Sequence, residues 1–521
     1  MADSIEPTST SITLRATVFL CGAVVMVLEL TGSRLLAPYF GNGLFVWTAL
    51  IGIMLGFMSL GNYLGGRLAD RSLHRQTLFW ILAGSGVSIG IISFTEPLLL
   101  PLLSSAGSVR FAAVAATIAL FAMPCTGLGM VTPYSVRYAI RSLVHSGATV
   151  GTLFALGTLG SIAGTFLGGF YLIAHVGSHN LIAWLALVPI ALAGLFFERW
   201  KWQQVAMLVG GVALVVSAMA TTASALDTFD TGYDRYVLLS TVDGATGRNV
   251  KGIARDSSSF ESAVYSDTGE PYLFDYYGYY DIASAVAGAT EPVKRTLMLG
   301  GGTFVYPRHQ LAKLPDSQSD VIEIDPQLVD VARTQFFLED DPRLRIHIED
   351  ARTYLNRVSE PGTRNSMLGA YDVALIDVFK SAKSVPYQLT TRETMQMVSD
   401  VLDEDGVVVM NIIANPRGRG ARFLSAEFKT VASVFPQAAV FAVRGLEVGD
   451  ELQNVSIIAT KRPVSDAKLA QLLDAVAPET AAHRIDPATL PQDVPVLTDD
   501  FAPVDQYLMD LSSPSMEQRR W

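Results

Sequence analysis

Cysteine, charge and metal-binding patterns are all scarce in this sequence of 521 residues. The only two cysteines, Cys21 and Cys125, both lie within apolar runs, so a disulfide framework and a Cys-x-x-Cys metal site are excluded. The seven histidines show no ligand spacing, and neither a His-Glu-x-x-His segment nor a nucleophile elbow is present. These absences predict a protein that uses neither a metal nor covalent serine chemistry.

Charged residues make up only 17% of the chain and are unevenly distributed. Residues 1–222 carry 10 Lys and Arg against 6 Asp and Glu, whereas residues 223–521 carry 28 against 43. Together with a mean hydropathy of +0.34, this division indicates a basic, apolar part joined to an acidic, soluble part. The acidic surface argues against a nucleic-acid partner, because binding to phosphates needs a basic footprint.

Long apolar runs with almost no charge fill the N-terminal part. Runs of roughly 20 such residues are typical of membrane-spanning helices. We therefore expect a multi-pass helical membrane domain over residues 1–222, in the cell (inner) membrane, with the lipid bilayer as a partner. Further runs follow the first at once, so the first is not predicted to be a cleaved signal. Seven spans are predicted, at about 15–37, 44–66, 78–98, 110–136, 148–173, 179–197 and 203–222.

Two charged side chains, Glu29 and Arg34, interrupt the first apolar run in the segment LELTGSRLLAPYFG. An unpaired charge inside a bilayer is costly, so both are expected to find partners. Two interpretations stay open, a structural ion pair and a pathway for a substrate or a proton. Elsewhere in the apolar part, glycines four residues apart, such as Gly61 and Gly65, predict close helix packing.

Alternating strand-like and helix-like segments fill the C-terminal part after a polar linker. A small β region is predicted within residues 223–290, and from residue 291 the chain follows a βαβ order. This order predicts an α/β domain over residues 291–521, built on a parallel sheet with helices on both faces. Two later segments, AAVFAVRG and NVSIIATKR, predict an antiparallel hairpin at the sheet edge.

Glycines and a carboxylate follow the first two strand-like segments, where parallel sheets bind ligands. Gly300, Gly301 and Gly302 end the first segment, and their missing side chains let a ligand approach the backbone. Glu323 ends the second, where a carboxylate can accept both hydroxyls of a ribose. This pattern predicts a nucleoside-binding site.

Two further strand-like segments also end in carboxylates. Asp350 is placed to meet an adenine amino group, and Asp377 points to the space where a donor would react. The alternative is that these carboxylates cap helices and solvate loops. For Asp325, the sequence supports helix capping and ligand binding about equally.

The order LGGG, EIDP, RIHIEDAR, YDVALIDVF and LDEDGVVVMNI resembles the spermidine synthase family of polyamine aminopropyltransferases, in particular its membrane-fused members. ELTGSRLLAPYFG in the first span and LTDDFAPVD near the C-terminus are similar to the same proteins. The resemblance implies a class I methyltransferase-like, Rossmann-like fold preceded by a small β region. It also implies decarboxylated S-adenosylmethionine or S-adenosylmethionine as the donor, with no metal.

The resemblance implies roles for individual residues. Glu323 would hold the donor ribose, Asp350 the adenine, and Asp377 would act at the reaction centre. Spermidine synthases carry aspartates at two positions that are Thr303 and Lys380 here, and these losses weigh against simple putrescine chemistry. The cofactor-binding candidates are Gly300, Gly301, Gly302, Glu323, Asp325, Asp350 and Ala351.

Two segments offer a replacement site for an amine acceptor. EPYLFDYYGYYD combines tyrosines with aspartates, and aromatic faces beside carboxylates attract an ammonium group. LTDDFAPVD offers three more aspartates. The alternatives are an aromatic segment that packs the β region on the sheet, and a turn before a terminal helix. The substrate-binding candidates are Tyr279, Tyr280, Asp281, Lys380, Asp499 and Asp500.

The leading hypothesis is a membrane-anchored transferase that moves an aminopropyl group from decarboxylated S-adenosylmethionine to a small-molecule amine, with a homodimer as the assembly considered. The first rival is an S-adenosylmethionine-dependent methyltransferase, which Thr303 favours. The second is a non-catalytic membrane transport or sensing protein that binds a nucleosyl ligand. The loop LGGRLADRSLHR resembles one of major facilitator transporters, but half of such a bundle is not expected to work as an ordinary alternating-access carrier.

Basic residues concentrate in alternate loops of the membrane part, at 67–75, 137–141 and 199–201. By the positive-inside rule these loops are cytoplasmic, so seven spans place the C-terminal domain outside. Adenosyl donors are made in the cytoplasm, which favours the opposite side. A seventh run that lies in the membrane interface would return the domain to the cytoplasm.

We expect alkaline phosphatase fused after residue 230 to be active and green fluorescent protein fused there to be dark, since the charge pattern uses three independent loops. Enzyme activity and fluorescence of cells expressing the two fusions measure this directly. The reverse pattern would place the C-terminal domain in the cytoplasm.

Overall fold

The computed structural model describes residues 9–41, 43–104, 109–140, 146–197, 202–224, 228–255, 260–289, 291–362, 366–378, 385–446, 451–465, 471, 482–509 and 511. The chain separates into two compact units, Met1–Arg235 and Tyr236–Trp521. The last predicted apolar run ends at residue 222, whereas the first unit continues to Arg235.

The described part of the first unit is built from apolar helices. Six stretches are long and apolar enough to cross a membrane, and these are α1 to α5 and α8. The sixth predicted span corresponds to α7, an apolar helix shorter than the six. The seventh corresponds to α8, which is long enough to cross a membrane, although an interfacial position was also considered for it. The helices are α1 Ser9–Phe40, α2 Leu44–Arg71, α3 Arg75–Ser104, α4 Val109–Ala139, α5 Ser146–Leu167, α6 Ile173–Val176, α7 Ser178–Gly194 and α8 Trp202–Ser224.

Glycines at helix contacts let these apolar helices pack backbone to backbone. A Cβ on Gly61 of α2 would lie 2.2 Å from the carbonyl oxygen of Thr126 in α4, and a Cβ on Gly65 would lie 2.6 Å from that of Met130. Real Cβ atoms do not approach so closely, so only glycine fits at these positions. Gly160 of α5 approaches α1 in the same way. The close packing predicted from the Gly61 and Gly65 spacing is confirmed.

The two charged residues of α1 are not paired with each other. Glu29 is buried, with 8% of its surface exposed, and the ion pairs within the described residues do not join it to Arg34. Arg34 instead donates a hydrogen bond to the backbone carbonyl of Gly232. A second polar contact lies within the same unit, where the His179 ring of α7 meets the buried carboxylate of Glu96 in α3, Nε2 to Oε2 3.0 Å.

The second unit combines a small antiparallel sheet with a large mixed sheet. Strand β1 Thr228–Asp230 belongs to the first unit, and β2 Arg235–Val242 begins at the last residue of that unit. The strands that follow are β3 Asn249–Ala254, β4 Ser262–Tyr265, β5 Arg295–Leu299, β6 Gln318–Glu323, β7 Leu344–Ile348, β8 Tyr371–Ile376, β9 Leu402–Ala414, β10 Gln437–Ala442, β11 Gln453–Thr460 and β12 Arg484–Ile485. In the small sheet, β2 pairs with β3 and β3 with β4, both antiparallel. The helices are α9 Tyr277–Ala287, α10 Val305–Lys313, α11 Pro326–Gln335, α12 Ala351–Val358, α13 Arg392–Val401, α14 Ala421–Ala432 and α15 Val504–Leu508.

The large sheet has the strand order β12-β10-β11-β9-β8-β5-β6-β7. Its parallel part runs from β9 to β7, as the βαβ order predicts. The sheet as a whole is mixed, however, because β11 pairs antiparallel with both β9 and β10. The predicted antiparallel hairpin is therefore confirmed. This α/β arrangement confirms the predicted fold class.

Strand register brings the predicted site residues to one edge of the sheet. Leu299, the last residue of β5, pairs with Ile322 of β6 and with Ile376 of β8. The residues that follow these three positions therefore lie side by side at the carboxyl ends of the strands. This edge is where ligands bind in sheets of this kind.

A buried carboxyl group in α14 has little compensation for its burial. Glu427 is fully buried, and the Thr390 side chain only partly offsets the loss of hydration of its charged form. Burial raises the pKa of Glu427 well above its ordinary value of 4.5, because the charged form loses its hydration. The folded state therefore binds this proton more tightly than the unfolded state, and stability falls as pH rises above the ordinary value.

We expect Glu427→Gln to raise the free energy of unfolding by roughly 1 to 3 kcal/mol at about pH 8, because the neutral amide avoids a buried charge. The gain should shrink towards about pH 4, where the wild-type carboxyl is protonated in both states. Unfolding of the full-length protein, measured at both pH values, tests this. Glu404→Gln, at a side chain that is 91% exposed, is the control and should have little effect. A Glu427→Gln protein less stable than wild type at about pH 8 would contradict the expectation.

Candidate active site

The loop between β5 and α10 forms one wall of the candidate site. Gly300 and Gly302 have φ angles of 89° and 53°, a backbone region that favours glycine. A Cβ on Gly300 would lie 2.2 Å from the backbone carbonyl oxygen of Asp377. Glycine at this position therefore allows the loop to lie directly against the end of β8.

Glu323, at the end of β6, is held by three backbone N–H groups. Its Oε2 accepts hydrogen bonds from Gly301 and Gly302, both at 3.0 Å, and its Oε1 accepts one from Asp325 at 3.0 Å. Burial raises the pKa of Glu323, while these three hydrogen bonds favour the charged form. Oε2 thus already accepts two hydrogen bonds, whereas Oε1 can accept one more. The residues present therefore fit a ribose, one hydroxyl of which would donate to Oε1.

Asp325 and Asp350 both cap helices. Asp325 Oδ1 accepts a hydrogen bond from the Gln327 N–H at 3.1 Å, and Asp350 Oδ1 accepts one from the Thr353 N–H at 2.9 Å. The capping alternative that the sequence left open thus describes both residues as they stand. Ala351, the first residue of α12, is buried. The cap uses one oxygen of Asp350 and fixes the carboxylate at the start of α12.

Asp377 follows β8 and lies among polar and aromatic side chains. Its Oδ1 accepts a hydrogen bond from Asn411 Nδ2 of β9 at 3.3 Å. Burial raises the pKa of Asp377, while Asn411, Tyr280 and the charge of Arg255 favour the ionised form. A carboxylate with a raised pKa is better matched to accepting a proton near neutral pH. The geometry therefore allows Asp377 to act as a base.

The predicted aromatic segment places one tyrosine beside this base. Tyr280 of α9 packs against Tyr306 of α10 with ring centroids 4.9 Å apart, and its hydroxyl lies near Asp377. Tyr279, the next candidate, directs its hydroxyl to His483 Nδ1 at 3.3 Å. Of the two tyrosine candidates, Tyr280 is therefore the one whose hydroxyl lies near Asp377.

The aspartate candidates for acceptor binding have other surroundings. Asp281 accepts a hydrogen bond from Lys313 Nζ of α10 at 2.7 Å. Asp499 forms an ion pair with Arg352, Nη2 to Oδ2 2.6 Å. Asp500 is exposed. Neither ion-paired carboxylate is directed at Asp377 by these contacts.

Two positions depart from the spermidine synthase pattern. Thr303 is fully buried, and its hydroxyl has no hydrogen-bond partner within the described residues. Lys380 lies outside the described residues. The wall next to the glycine loop is therefore neutral at position 303.

Two residues beside Asp377, Asn411 and Arg255, were not predicted from the sequence. Asn411 is a polar residue inside the apolar strand GVVVMNII, and that interruption is a signal that could have identified it. Arg255 follows β3 in the small sheet, far from Asp377 in the sequence, and no local pattern points to it.

Residues 278–444 match the spermine/spermidine synthase domain family, so the α/β unit contains such a domain, as the resemblance predicted. The chain is 26% identical to the polyamine aminopropyltransferase of Vibrio vulnificus over 182 residues, 35% of this chain and 56% of that enzyme. It is also 26% identical to the eEF1A lysine and N-terminal methyltransferase of Xenopus laevis over 179 residues, 33% of this chain and 23% of that protein. The chain thus spans about half or less of the length of these relatives.

A third relative is similar over a longer stretch. Polyamine aminopropyltransferase 1 of Streptomyces coelicolor is 25% identical over 436 residues, 75% of this chain and 74% of that protein. Such a share exceeds the α/β unit, so the similarity extends into the helical unit. Among solved structures, a probable spermidine synthase from Corynebacterium glutamicum aligns with a TM-score of 0.41 and 22% identity, covering 51% of this chain and 91% of that one.

We expect Glu323→Ala to weaken the binding of an adenosyl donor by about 1 to 3 kcal/mol, the scale of a hydrogen bond to a charged group. Calorimetric titration of the full-length protein with decarboxylated and intact S-adenosylmethionine measures the loss. Because Glu323 also anchors the glycine loop, the variant must unfold at the wild-type temperature for the loss to be assigned to binding. Unchanged affinity for both donors would remove Glu323 from the site.

Proposed function

From the spermine/spermidine synthase domain at residues 278–444, we propose that the α/β unit is an aminopropyltransferase. It moves an aminopropyl group from decarboxylated S-adenosylmethionine to a small amine. The observation that carries this proposal is the placement of the glycine loop, Glu323 and Asp377 at the ends of three adjacent strands. A nucleoside held at Glu323 would extend towards Asp377 along this edge.

The proposed reaction needs orientation of two substrates and removal of one proton. The donor supplies a sulfonium, which makes the adjacent methylene electrophilic. The acceptor nitrogen forms a bond to that methylene, and the carbon–sulfur bond breaks with its electron pair passing to sulfur. Asp377 accepts the proton of the attacking amine, with Asn411 holding its carboxylate in place. Tyr280 stays protonated, because burial raises its pKa well above the ordinary value.

A second candidate is methyl transfer from intact S-adenosylmethionine. Thr303 supports it, because a neutral side chain there provides no counter-charge for the ammonium of an aminopropyl arm. The similarity to the eEF1A lysine and N-terminal methyltransferase of Xenopus laevis supports it as well. A non-catalytic transport or sensing role is the third candidate, in which the unit would bind a nucleosyl ligand without turnover.

The helical unit is compatible with a multi-pass membrane protein. We propose that it anchors the enzyme in the cell membrane, with the α/β unit outside as the basic loops indicate. An enzyme on that side would need a donor supplied outside the cell or passed through the bundle. A small amine as acceptor and a homodimer as the assembly are part of the same proposal.

We expect full-length protein to bind decarboxylated S-adenosylmethionine more tightly than the intact donor, and Asp377→Asn to retain that binding while losing transfer. Calorimetry with each donor and detection of the alkylated amine measure the two effects. Wild-type transfer should increase as pH rises through the raised pKa of Asp377, because only the carboxylate accepts a proton. Asp340→Asn, at a carboxylate whose side chain is 95% exposed, is the control.

The possible results separate the candidates. Preference for intact S-adenosylmethionine would favour the methyltransferase. Binding of neither donor would favour transport or sensing. A fully active Asp377→Asn protein would remove Asp377 from the mechanism.

A further inference from the structure

The guanidinium of Arg352 joins three segments of the α/β unit. Arg352 is the second residue of α12, and its Nη1 donates hydrogen bonds to the Gln388 carbonyl oxygen at 3.0 Å and to Thr394 Oγ1 at 2.7 Å. The same guanidinium binds both carboxylate oxygens of Asp499, Nη1 to Oδ1 3.0 Å and Nη2 to Oδ2 2.6 Å. Arg352 thus connects α12 with α13 and with the turn around Asp499.

That turn is itself held against the start of α13. Asp499 Oδ1 accepts a hydrogen bond from Thr391 Oγ1 at 2.7 Å, and the Asp499 N–H donates to Glu393 Oε2 at 3.0 Å. The Leu497 carbonyl accepts another from the Arg392 N–H at 2.8 Å. The turn therefore presents the Asp499 carboxylate to Arg352 in a fixed position.

This pair has the properties of a strong ion pair. It is bidentate, and the side chain of Arg352 is 18% exposed while that of Asp499 is 44% exposed. Bidentate, partly buried arginine–carboxylate pairs contribute more than exposed surface pairs. The hydrogen bonds from Arg352 and Thr391 lower the pKa of Asp499, so it stays charged at neutral pH.

The pair lies next to the donor side of the candidate site. The two residues before Arg352 are Asp350, which the sequence predicts to meet the adenine, and Ala351, another cofactor-binding candidate. Gln388 lies between β8 and α13 in the chain, and Asp377 directly follows β8. Small displacements of positioning groups are costly in enzymes, and loss of the pair would free the first turn of α12.

We propose that Arg352 and Asp499 are a positioning pair that fixes the first turn of α12 for donor binding. This inference rests on the proposed transferase function and assigns the LTDD segment a role other than acceptor binding. Neither residue is placed at the reacting atoms. Asp377 is held separately, by the pairing of β8 and by Asn411, so chemistry at saturating donor should survive the loss of the pair.

The test compares Asp499→Asn, Arg352→Gln and the double variant as full-length proteins. We expect each single variant to raise the donor KM and Kd about tenfold, with kcat and the acceptor KM within about twofold of wild type. The double variant should be no worse than Arg352→Gln alone, because the ion pair that Asp499→Asn removes is already lost in that variant. Amide hydrogen exchange in the first turn of α12 should become faster in all three.

The control is a second arginine–aspartate pair that holds a neighbouring part of the same C-terminal segment. Arg422 of α14 bonds Asp493, Nη1 to Oδ2 2.8 Å, at an exposed site. Arg422→Gln should lower the unfolding temperature at most slightly and leave the donor KM unchanged.

Four results would overturn the inference. An unchanged donor KM in Asp499→Asn would exclude positioning, and a rise confined to the acceptor KM would return Asp499 to the acceptor site. An equal rise of the donor KM in Arg422→Gln would mean that the effect is general loosening of the fold. A wild-type protein that binds neither donor would overturn the proposed function, and this inference with it.

Discussion

The parallel pairing of β5 with both β6 and β8 is the constraint on which the candidate site depends. It aligns Leu299 with Ile322 and Ile376, so the chain leaves all three strands at one edge. The glycine loop can lie against β8 only because Gly300 has no side chain at a φ of 89°. The N–H groups of that loop then hold the Glu323 carboxylate in place.

Carboxylates along this edge have different surroundings, and the differences are suited to different tasks. Glu323 receives three backbone N–H groups, which fix its orientation. Asp350 caps α12 and moves only with that helix. Asp377 has one amide partner beside aromatic rings and keeps a raised pKa. Burial raises the pKa of Glu323 as well, so the two carboxylates differ mainly in their hydrogen-bond partners.

Local patterns were sufficient to predict most of the fold and the adjacent strand ends that carry the glycine loop, Glu323 and Asp377. Apolar runs, the βαβ order and polar residues at strand ends are short-range signals, and the structure contains the elements that they indicate. The surroundings of Asp377 were harder to predict, since Asn411 lies on another strand and Arg255 acts on Asp377 only through its charge. The contact of Asp499 with Arg352 was missed for a similar reason, because the two residues are 147 positions apart. The antiparallel pairing of β11 with β9 is also a long-range contact, so the sequence predicted a parallel sheet and not the mixed sheet of the structure.

The buried Glu427 carboxyl group makes the stability of the protein depend on pH. Proteases act on unfolded or partly open molecules, so cleavage increases as the folded state becomes less stable. Because burial raises the pKa of Glu427, this group stabilises the fold more in acidic surroundings than in alkaline ones. If the unit lies outside the cell, no cytoplasmic buffer stands between it and the medium. Protein abundance would then depend on the pH of the medium.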